Sequence, residues 1–593
     1  MQKNLTSITF RTRIIHLQSL LFLYIFSLIL VSCDGQKKLK PEKSIAYFDY
    51  FNYQGNDDYY NDNPLTEADQ FYNPILPGWY SDPSICKRGD DYFLVTSTFS
   101  YFPGVPIFHS TDLVNWKQIG HILDRPSQLP LEGQRIGEGI FAPAISYNPH
   151  NETFYMITTN IRRGNFFVKT KDPFGAWSDP VWLPEVQGID PSIFFDDDGK
   201  AYIVNNDAPD GQPLYQGHRA IRVQEFDWKT EKVFGPRKMI VNGGVNIEEQ
   251  PIWIEGPHIY KINGMYYLMN AEGGSGPQHS EVIFRGAQPM GPYIPWDKNP
   301  ILTQRHLDPE RPNPIGWAGH ADLVQDEAGD WWAVFLACRP IDNEFENLGR
   351  ETFLMPVKWS DDGFPYMTQG DDLIPMIVEK EGITRENVTF GNFSVKDDFS
   401  DTTLGLEWMT LRTPASELYS LQEPSGYLSL TCTENNATQR KTPALVLRRM
   451  QHHKFECETK LTFDPAENDA AGLLLLKDEG HQYFLSVSNA NNKREISLIK
   501  VSRSNEEKLA TEMIKAGTGA LGLKIVSQGK TFDFYYAQKE NKWELLCADI
   551  DAHYLSTDNS YGFTGTTIGM YAVKNPDVTV QNITPAPEGS DSE

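Results

Sequence analysis

Cysteine is scarce in this chain, six in 593 residues, and no two are spaced as Cys-x-x-Cys. Apart from Cys33, the set is odd: Cys86, Cys338, Cys432, Cys457 and Cys547. Most lie in apolar, strand-like contexts, which points to buried thiols and to neither a zinc site nor a disulfide framework. Basic residues are a minority, 53 Lys and Arg against 79 Asp and Glu, for a net charge of −26. Displacing counterions from nucleic acid takes clustered Lys and Arg, so no nucleic-acid partner is expected. The acidic surplus names no partner and suits the solubility of an exported protein. No Asp-x-Asp-x-Asp-Gly loop with a distal Glu occurs, and Asp196-Asp197-Asp198-Gly199 reads as a hairpin turn. Long hydrophobic runs are missing too, except Leu17 to Val31, which is too short and wrongly flanked to span a membrane.

That run follows Lys3, Arg11 and Arg13, so residues 1–32 have the layout of an export signal and lie outside the fold. Its end, Leu30-Val31-Ser32-Cys33, resembles the lipobox of bacterial lipoproteins. The resemblance implies cleavage before Cys33 and acylation of its thiol and new amino group. The protein is then exported and lipid-anchored to a bacterial membrane, at its periplasmic face or the cell surface, without spanning it. Residues 33–65 are polar and rich in Tyr, Asp and Asn, and read as a tether behind the lipidated Cys33.

The remaining length exceeds one core, and 40% apolar residues with 12% aromatics are ample for packed domains. From residue 66 a pattern recurs five times: a polar or Pro entry, an apolar strand, a tight turn, and a second strand rich in aromatics. The entries are Asp82-Pro83-Ser84, Ala142-Pro143-Ala144, Asp190-Pro191-Ser192, Glu255-Gly256-Pro257-His258 and His320-Ala321-Asp322. Turns such as Asp197-Asp198-Gly199 and Ile262-Asn263-Gly264 suit tight hairpins. The starts at 82, 142, 190, 255 and 320 are 60, 48, 65 and 65 residues apart. Such unequal antiparallel units predict a five-bladed β-propeller over 66–385 rather than a solenoid.

In a propeller each innermost strand delivers its first residues to one axis, which brings Asp82, Asp190, Glu255 and His320 together. Clustered carboxylates repel and raise one another's pKa, so stability alone does not favour assembling them. Glycosidic cleavage, by contrast, needs one protonated carboxyl and one carboxylate. A third carboxylate helps keep the acid protonated. Phe99, Phe102, Phe141 and Trp317 are candidate stacking faces for a sugar ring.

Tyr80-Ser81-Asp82-Pro83-Ser84, Gly188-Ile189-Asp190-Pro191-Ser192 and Ile254-Glu255-Gly256-Pro257-His258 resemble motifs of glycoside hydrolase family 43. So do Gly139-Ile140-Phe141-Ala142-Pro143, Gly319-His320-Ala321-Asp322 and Gly349-Arg350-Glu351. The resemblance implies Asp82 as general base, Glu255 as general acid, and Asp190 as the group that raises and orients the acid. It implies inversion, with the base and acid carboxyls roughly 6.5–9.5 Å apart. Arg350 fits the family's sugar-binding Arg. His320 fits the hub histidine that meets a structural cation such as Ca2+, or an ordered water. No cofactor is implied for the chemistry itself. Phe141 stands where the family commonly has Trp.

Charged residues 378–390 read as a linker, and short alternating segments from 390 to 593 predict a β-sandwich, giving an all-β chain. This part resembles the concanavalin-like C-terminal domain of family 43 β-xylosidases. There a loop closes part of the pocket, and Gly562-Phe563-Thr564-Gly565 matches it, so Phe563 is a candidate wall residue. The implied activity is an exo-acting β-xylosidase or α-L-arabinofuranosidase on xylan- or arabinoxylan-derived oligosaccharides. The alternatives are a hydrolase of a related galactoside and a non-catalytic, surface glycan-binding lipoprotein.

Overall fold

The computed structural model describes residues 44–574, except 343, 344, 385–387, 414, 415, 492, 504, 515–518 and 561. The expected export signal and the expected lipidation site, Cys33, lie outside these residues. The described chain is all-β, and each of the five repeats opens a separate antiparallel sheet. The first sheet runs Ser84–Arg88, Asp91–Val95, Gly104–Ser110, Lys117–Leu123. The second runs Ile140–Asn148, Thr153–Asn160, Gly164–Thr170, Val181–Trp182, and the third Ile189–Phe195, Ala201–Asp207, Ala220–Asp227, Lys232–Asn242. The fourth begins Glu255–Ile262, Met265–Glu272, Ser280–Gly286, and the fifth is Gly316–Gln325, Trp331–Cys338, Glu351–Pro356.

The five first strands lie side by side in sequence order, and the fifth returns to the first. Hydrogen bonds stitch every step of this ring. Ile145 N–H donates to Ser84 Oγ at 3.1 Å, Ser146 Oγ to the Ile193 carbonyl at 2.8 Å, and Ser192 Oγ to the Pro257 carbonyl at 2.6 Å. Tyr260 donates to Asp322 Oδ1 at 2.5 Å, and Ser84 closes the circle on Asp322 Oδ2 at 2.7 Å. These groups are largely buried, so each bond also meets the need of a polar group cut off from water.

At the head of each first strand one residue has a left-handed backbone: Asp82 (φ 54°), Ala142 (36°), Asp190 (51°), Gly256 (55°) and His320 (51°). In the second to fifth sheets a register shift falls at the same place, the mark of a β-bulge. The true repeat equivalent of Asp82 and Asp190 is therefore Gly256, with Glu255 one residue earlier. The bulges of the third and fourth sheets coincide, so Glu255 takes the place of Ile189 and not of Asp190.

A second pair of sheets builds the sandwich. One holds Tyr419–Gln422, Ser425–Thr431, Ile45–Gly55, Lys454–Phe463, Leu521–Gln528, Thr531–Ala537 and Glu544–Asp551 in that order. The other holds Ala444–Arg449, Thr567–Lys574, Asp469–Asp478, His481–Ala490, Lys493–Val501 and Glu506–Ile514. Their facing sides share Phe48, Phe51, Leu461, Leu473, Phe532 and Met570 in one core.

Two expectations need correction. Residues 45–55, read as tether, are an inner strand of the sandwich, paired with Ser425–Thr431 and Lys454–Phe463. Ala46, Phe48, Phe51 and Tyr53 point inward, and a bulge between Phe48 and Phe51 breaks the two-residue alternation that would have marked a strand. The segment 378–390 is no plain linker either. Ile377–Glu379 pairs with Gln70–Tyr72, and Phe390 is buried against Phe71 and Tyr72. Phe51 is fully buried, with its ring edge-on to Trp408 at 5.0 Å. Phe51→Ala should therefore cost about 3–5 kcal/mol, read as a lowered denaturant midpoint; a tether residue would leave the midpoint unmoved.

Candidate active site

Asp82, Asp190 and Glu255 lie at the heads of the first, third and fourth sheets, within electrostatic reach of one another and of Arg350. Asp82 is buried. Its Oδ2 accepts the Ser97 hydroxyl at 2.5 Å, and its Oδ1 meets Arg350 Nη1 at 3.1 Å. Ser97 Oγ takes the Ala142 N–H at 2.8 Å, so its own proton is committed to Asp82. Burial opposes the Asp82 charge, but Arg350, then His320 and Ser97, hold the carboxyl below its usual range.

The other two carboxyls move the opposite way. Burial and the negative charge of Asp82 push Asp190 up to about 7, against the pull of the Gly256 N–H at 3.3 Å, Arg350 and Arg219. Burial and the neighbouring Asp190 carry Glu255 well above a normal carboxyl. Around one guanidinium, Asp82 is thus drawn down while Asp190 and Glu255 are pushed up.

His320 Nδ1 sits 4.0 Å from Asp82 Oδ1, and burial lowers the ring to about 4, which leaves it neutral. Below it a cavity of about 10 Å³ is bounded by Asp82, Ser84, Asp190, Ser192, His258 and His320. That is room for one water. Calcium asks six to eight oxygens. Here the donors are imidazoles, hydroxyls already bonded around the ring, and carboxylates engaged by Arg350, Ser97 and Gly256. Among the described residues no three His, Cys, Asp or Glu side chains converge as a ligand set. The residues present do not fit a protein-built calcium cage.

Aromatic rings wall the site beside Arg350. Phe563, from the sandwich, lies 5.3 Å from the Arg350 guanidinium. Its ring is 5.5 Å from Phe141 and 6.2 Å from Phe99, and Phe99 meets Phe141 at 5.6 Å. Phe102 stands apart from this group. It pairs with Thr410 of the C-terminal segment and packs on the core shared by the first two sheets. Trp317 is half-buried on the fifth sheet's first strand, three residues before His320.

Sequence reasoning missed three groups. Ser97 sits in an unremarkable Thr-Ser-Thr run. Arg219 donates from Nε and Nη2 to Asn206 Oδ1 at 3.1 and 2.8 Å, lies 4.6 Å from the Trp253 ring, and acts on both Asp190 and Glu255. It falls between repeats, where no pattern marks it. His279 gives its Nδ1 proton to the Gly274 carbonyl at 2.6 Å and is held neutral by burial, near 3. Its only signal is position, five residues after a Gly-Gly turn.

Residues 71–365 match glycosyl hydrolases family 43, and 396–581 match the β-xylosidase C-terminal concanavalin A-like domain. A xylosidase/arabinosidase of Butyrivibrio fibrisolvens is 40% identical over 85% of this chain and 96% of its own. The chain belongs to glycosyl hydrolase family 43. A Bacteroides ovatus relative, non-reducing end alpha-L-arabinofuranosidase BoGH43B, is 39% identical over 85% of this chain and 92% of its own. The crystal structure of a GH43_12 protein from capybara gut metagenome superposes with a TM-score of 0.83 at 43% identity, covering 89% of this chain and 99% of that one. This family 43 chain is a glycosidase acting on O-glycosyl bonds.

The charges give a direct test. Asp190→Asn removes a negative neighbour, so the Glu255 carboxyl should titrate at lower pH than in the parent protein. Carbon-13 NMR of labelled Glu side chains reads this; an unchanged Glu255 titration would mean that burial alone sets it.

Proposed function

We propose that this family 43 protein is an inverting, exo-acting pentosidase that removes xylose or arabinose from xylan- or arabinoxylan-derived oligosaccharides. The five sheets are read as blades of a β-propeller, with the site at its hub. The observation that carries the reading is the opposite displacement of two carboxyls around one guanidinium, Asp82 held low and Glu255 held high.

In this reading Asp82 takes a proton from water as that water attacks the anomeric carbon. Glu255 gives its proton to the departing glycosidic oxygen, and the sugar leaves with inverted configuration. Asp190 keeps Glu255 protonated, and its bond to the Gly256 N–H orients the two relative to each other. Arg350 reaches the bound sugar from its Asp82 contact, and the half-buried Phe141 and Phe563 offer apolar faces to the ring, backed by the buried Phe99. A wall contributed by the sandwich closes one end of the site, which suits cleavage of a terminal residue. Xylose and arabinose are supported by the names of the relatives. A β-D-xylopyranoside and an α-L-arabinofuranoside also present similar atoms around the reactive carbon. Lipid at Cys33 would hold the enzyme at a bacterial membrane, where such oligosaccharides are met.

Glu255→Gln should lower kcat on xylobiose about 10²–10⁴-fold and spare an aryl pentoside whose leaving group needs little protonation. Asp82→Asn should depress both substrates alike. Proton NMR of the first-formed sugar should show the anomer opposite to that of the substrate. Activity surviving both substitutions, or a retained anomer, overturns the mechanism. Phe563→Ala should raise KM and lengthen the products released; unchanged kinetics and product size would remove Phe563 from the pocket.

A further inference from the structure

Lys477, on the sandwich strand Asp469–Asp478, places its amine in a fully buried position. Its Nζ donates to the Thr564 carbonyl and to Thr557 Oγ1, the latter at 2.6 Å, and lies 3.8 Å from Glu346 Oε1. Glu346 is itself 2% exposed, and its Oε2 is buried with no hydrogen-bond partner. Burial pushes the Glu346 carboxyl up to about 7, against the pull of Lys477. A buried polar pair seldom stabilises a fold more than apolar side chains of the same volume would, and an oxygen left without a partner is a further cost. Stability therefore does not account for this pair. What directional bonds add is orientation.

The seam around the pair shows what is being oriented. Thr557 N–H donates to the Glu346 carbonyl at 3.2 Å, Thr566 N–H to the Asn347 carbonyl at 2.8 Å, and Asn347 Nδ2 to the Ala552 carbonyl at 2.8 Å. Gly349 and Gly565 press backbone to backbone. A Cβ on Gly349 would come within 2.6 Å of Gly565 N, and one on Gly565 within 2.3 Å of the Leu348 carbonyl oxygen. One residue beyond Gly349 is Arg350, and two before Gly565 is Phe563. The same strand end reaches the loop that leads to Phe141. There Glu479 Oε1 accepts the Ile136 N–H at 2.9 Å, and it also accepts Arg412 Nη2 at 2.8 Å.

We propose that Lys477 and Glu346 are positioning residues that clasp the Phe563 loop against the Arg350 segment and so set the width of the sugar pocket. The proposal rests on the reading of Phe563 as a pocket wall. Neither residue touches the sugar. Lys477 acts through the Thr564 carbonyl, next in chain to Phe563, and Glu346 holds the ammonium group in line.

The test is a double-mutant cycle on the full chain, with kcat and KM measured separately on an aryl pentoside. Lys477→Met should raise KM about ten-fold with kcat within about two-fold of the parent, since only a binding wall has moved. Lys477→Arg, which keeps charge and donors, should recover most of that loss. Glu346→Gln, of equal volume, should shift KM in the same direction and serves if Lys477→Met does not fold. In a Phe563→Ala background, Lys477→Met should add nothing, because both act through one wall. If Phe563→Ala raises KM but the Lys477 and Glu346 variants change only the unfolding temperature, the clasp is overturned and the wall stands. Full additivity of the two effects overturns the clasp as well. If Phe563→Ala leaves KM unchanged, the wall reading falls and takes the clasp with it.

Discussion

The contact between Arg350 and Asp82, 3.1 Å from Nη1 to Oδ1, is the interaction on which the rest of the site depends. Three carboxyls share one end of the ring, and burial alone would drive all three towards the neutral form. The guanidinium breaks that symmetry because it lies closest to one of them. Asp82 is drawn down, and its charge in turn helps push the other two up. One fixed cation thus separates like carboxyls, with no change in residue type; in the proposed mechanism that separation makes one the base and another the acid. Arg350 also faces Phe563, so the group that sorts the protonation states is the one that meets the sandwich wall.

That sorting needs the carboxyls aimed inward, and the backbone does the aiming. A left-handed residue other than Gly or Asn is uncommon, and an Ala there carries a penalty of roughly 1–2 kcal/mol. The ring places a left-handed residue at the head of every first strand: a Gly in the fourth, and in the second Ala142, which has no part in the carboxyl cluster. The conformation therefore goes with the ring itself, whose strands are linked through Ser84, Ser146, Ser192, Tyr260 and Asp322. The carboxyl cluster is built on a strain that the architecture repeats in every sheet.

Much of this was legible in the sequence, and what was not has physical reasons. The five hairpins stood out because Asp-Gly and Asn-Gly turns and aromatic strands are local signals, and the sandwich strands alternate cleanly. The convergence of Asp82 and Asp190 followed from equivalence of the repeats. Glu255 was placed with them one register off, because the position equivalent to Asp82 and Asp190 is held by Gly256, which has no side chain to mark it. Arg219, His279 and Ser97 owe their places to contacts between segments with no shared pattern. Ile45–Gly55 was hidden by its own bulge and by outward Asp49, Asn52 and Gln54.

That hidden strand changes how the two halves depend on each other. The chain lays an inner strand of the sandwich first, then runs the whole ring, then returns to build the remaining strands around the one it left. Gln70–Tyr72 and Ile377–Glu379 pair where the chain leaves and re-enters, so both ends of the ring are tied at one neck. The ring is an excursion from the sandwich, joined to it by two chain segments that meet at this neck. The seam at Gly349 and Gly565 adds a second tie, through its own backbone contacts. Phe563 is kept beside Arg350 by that seam, so a residue that the sequence places more than two hundred positions away can face the guanidinium that sorts the carboxyls.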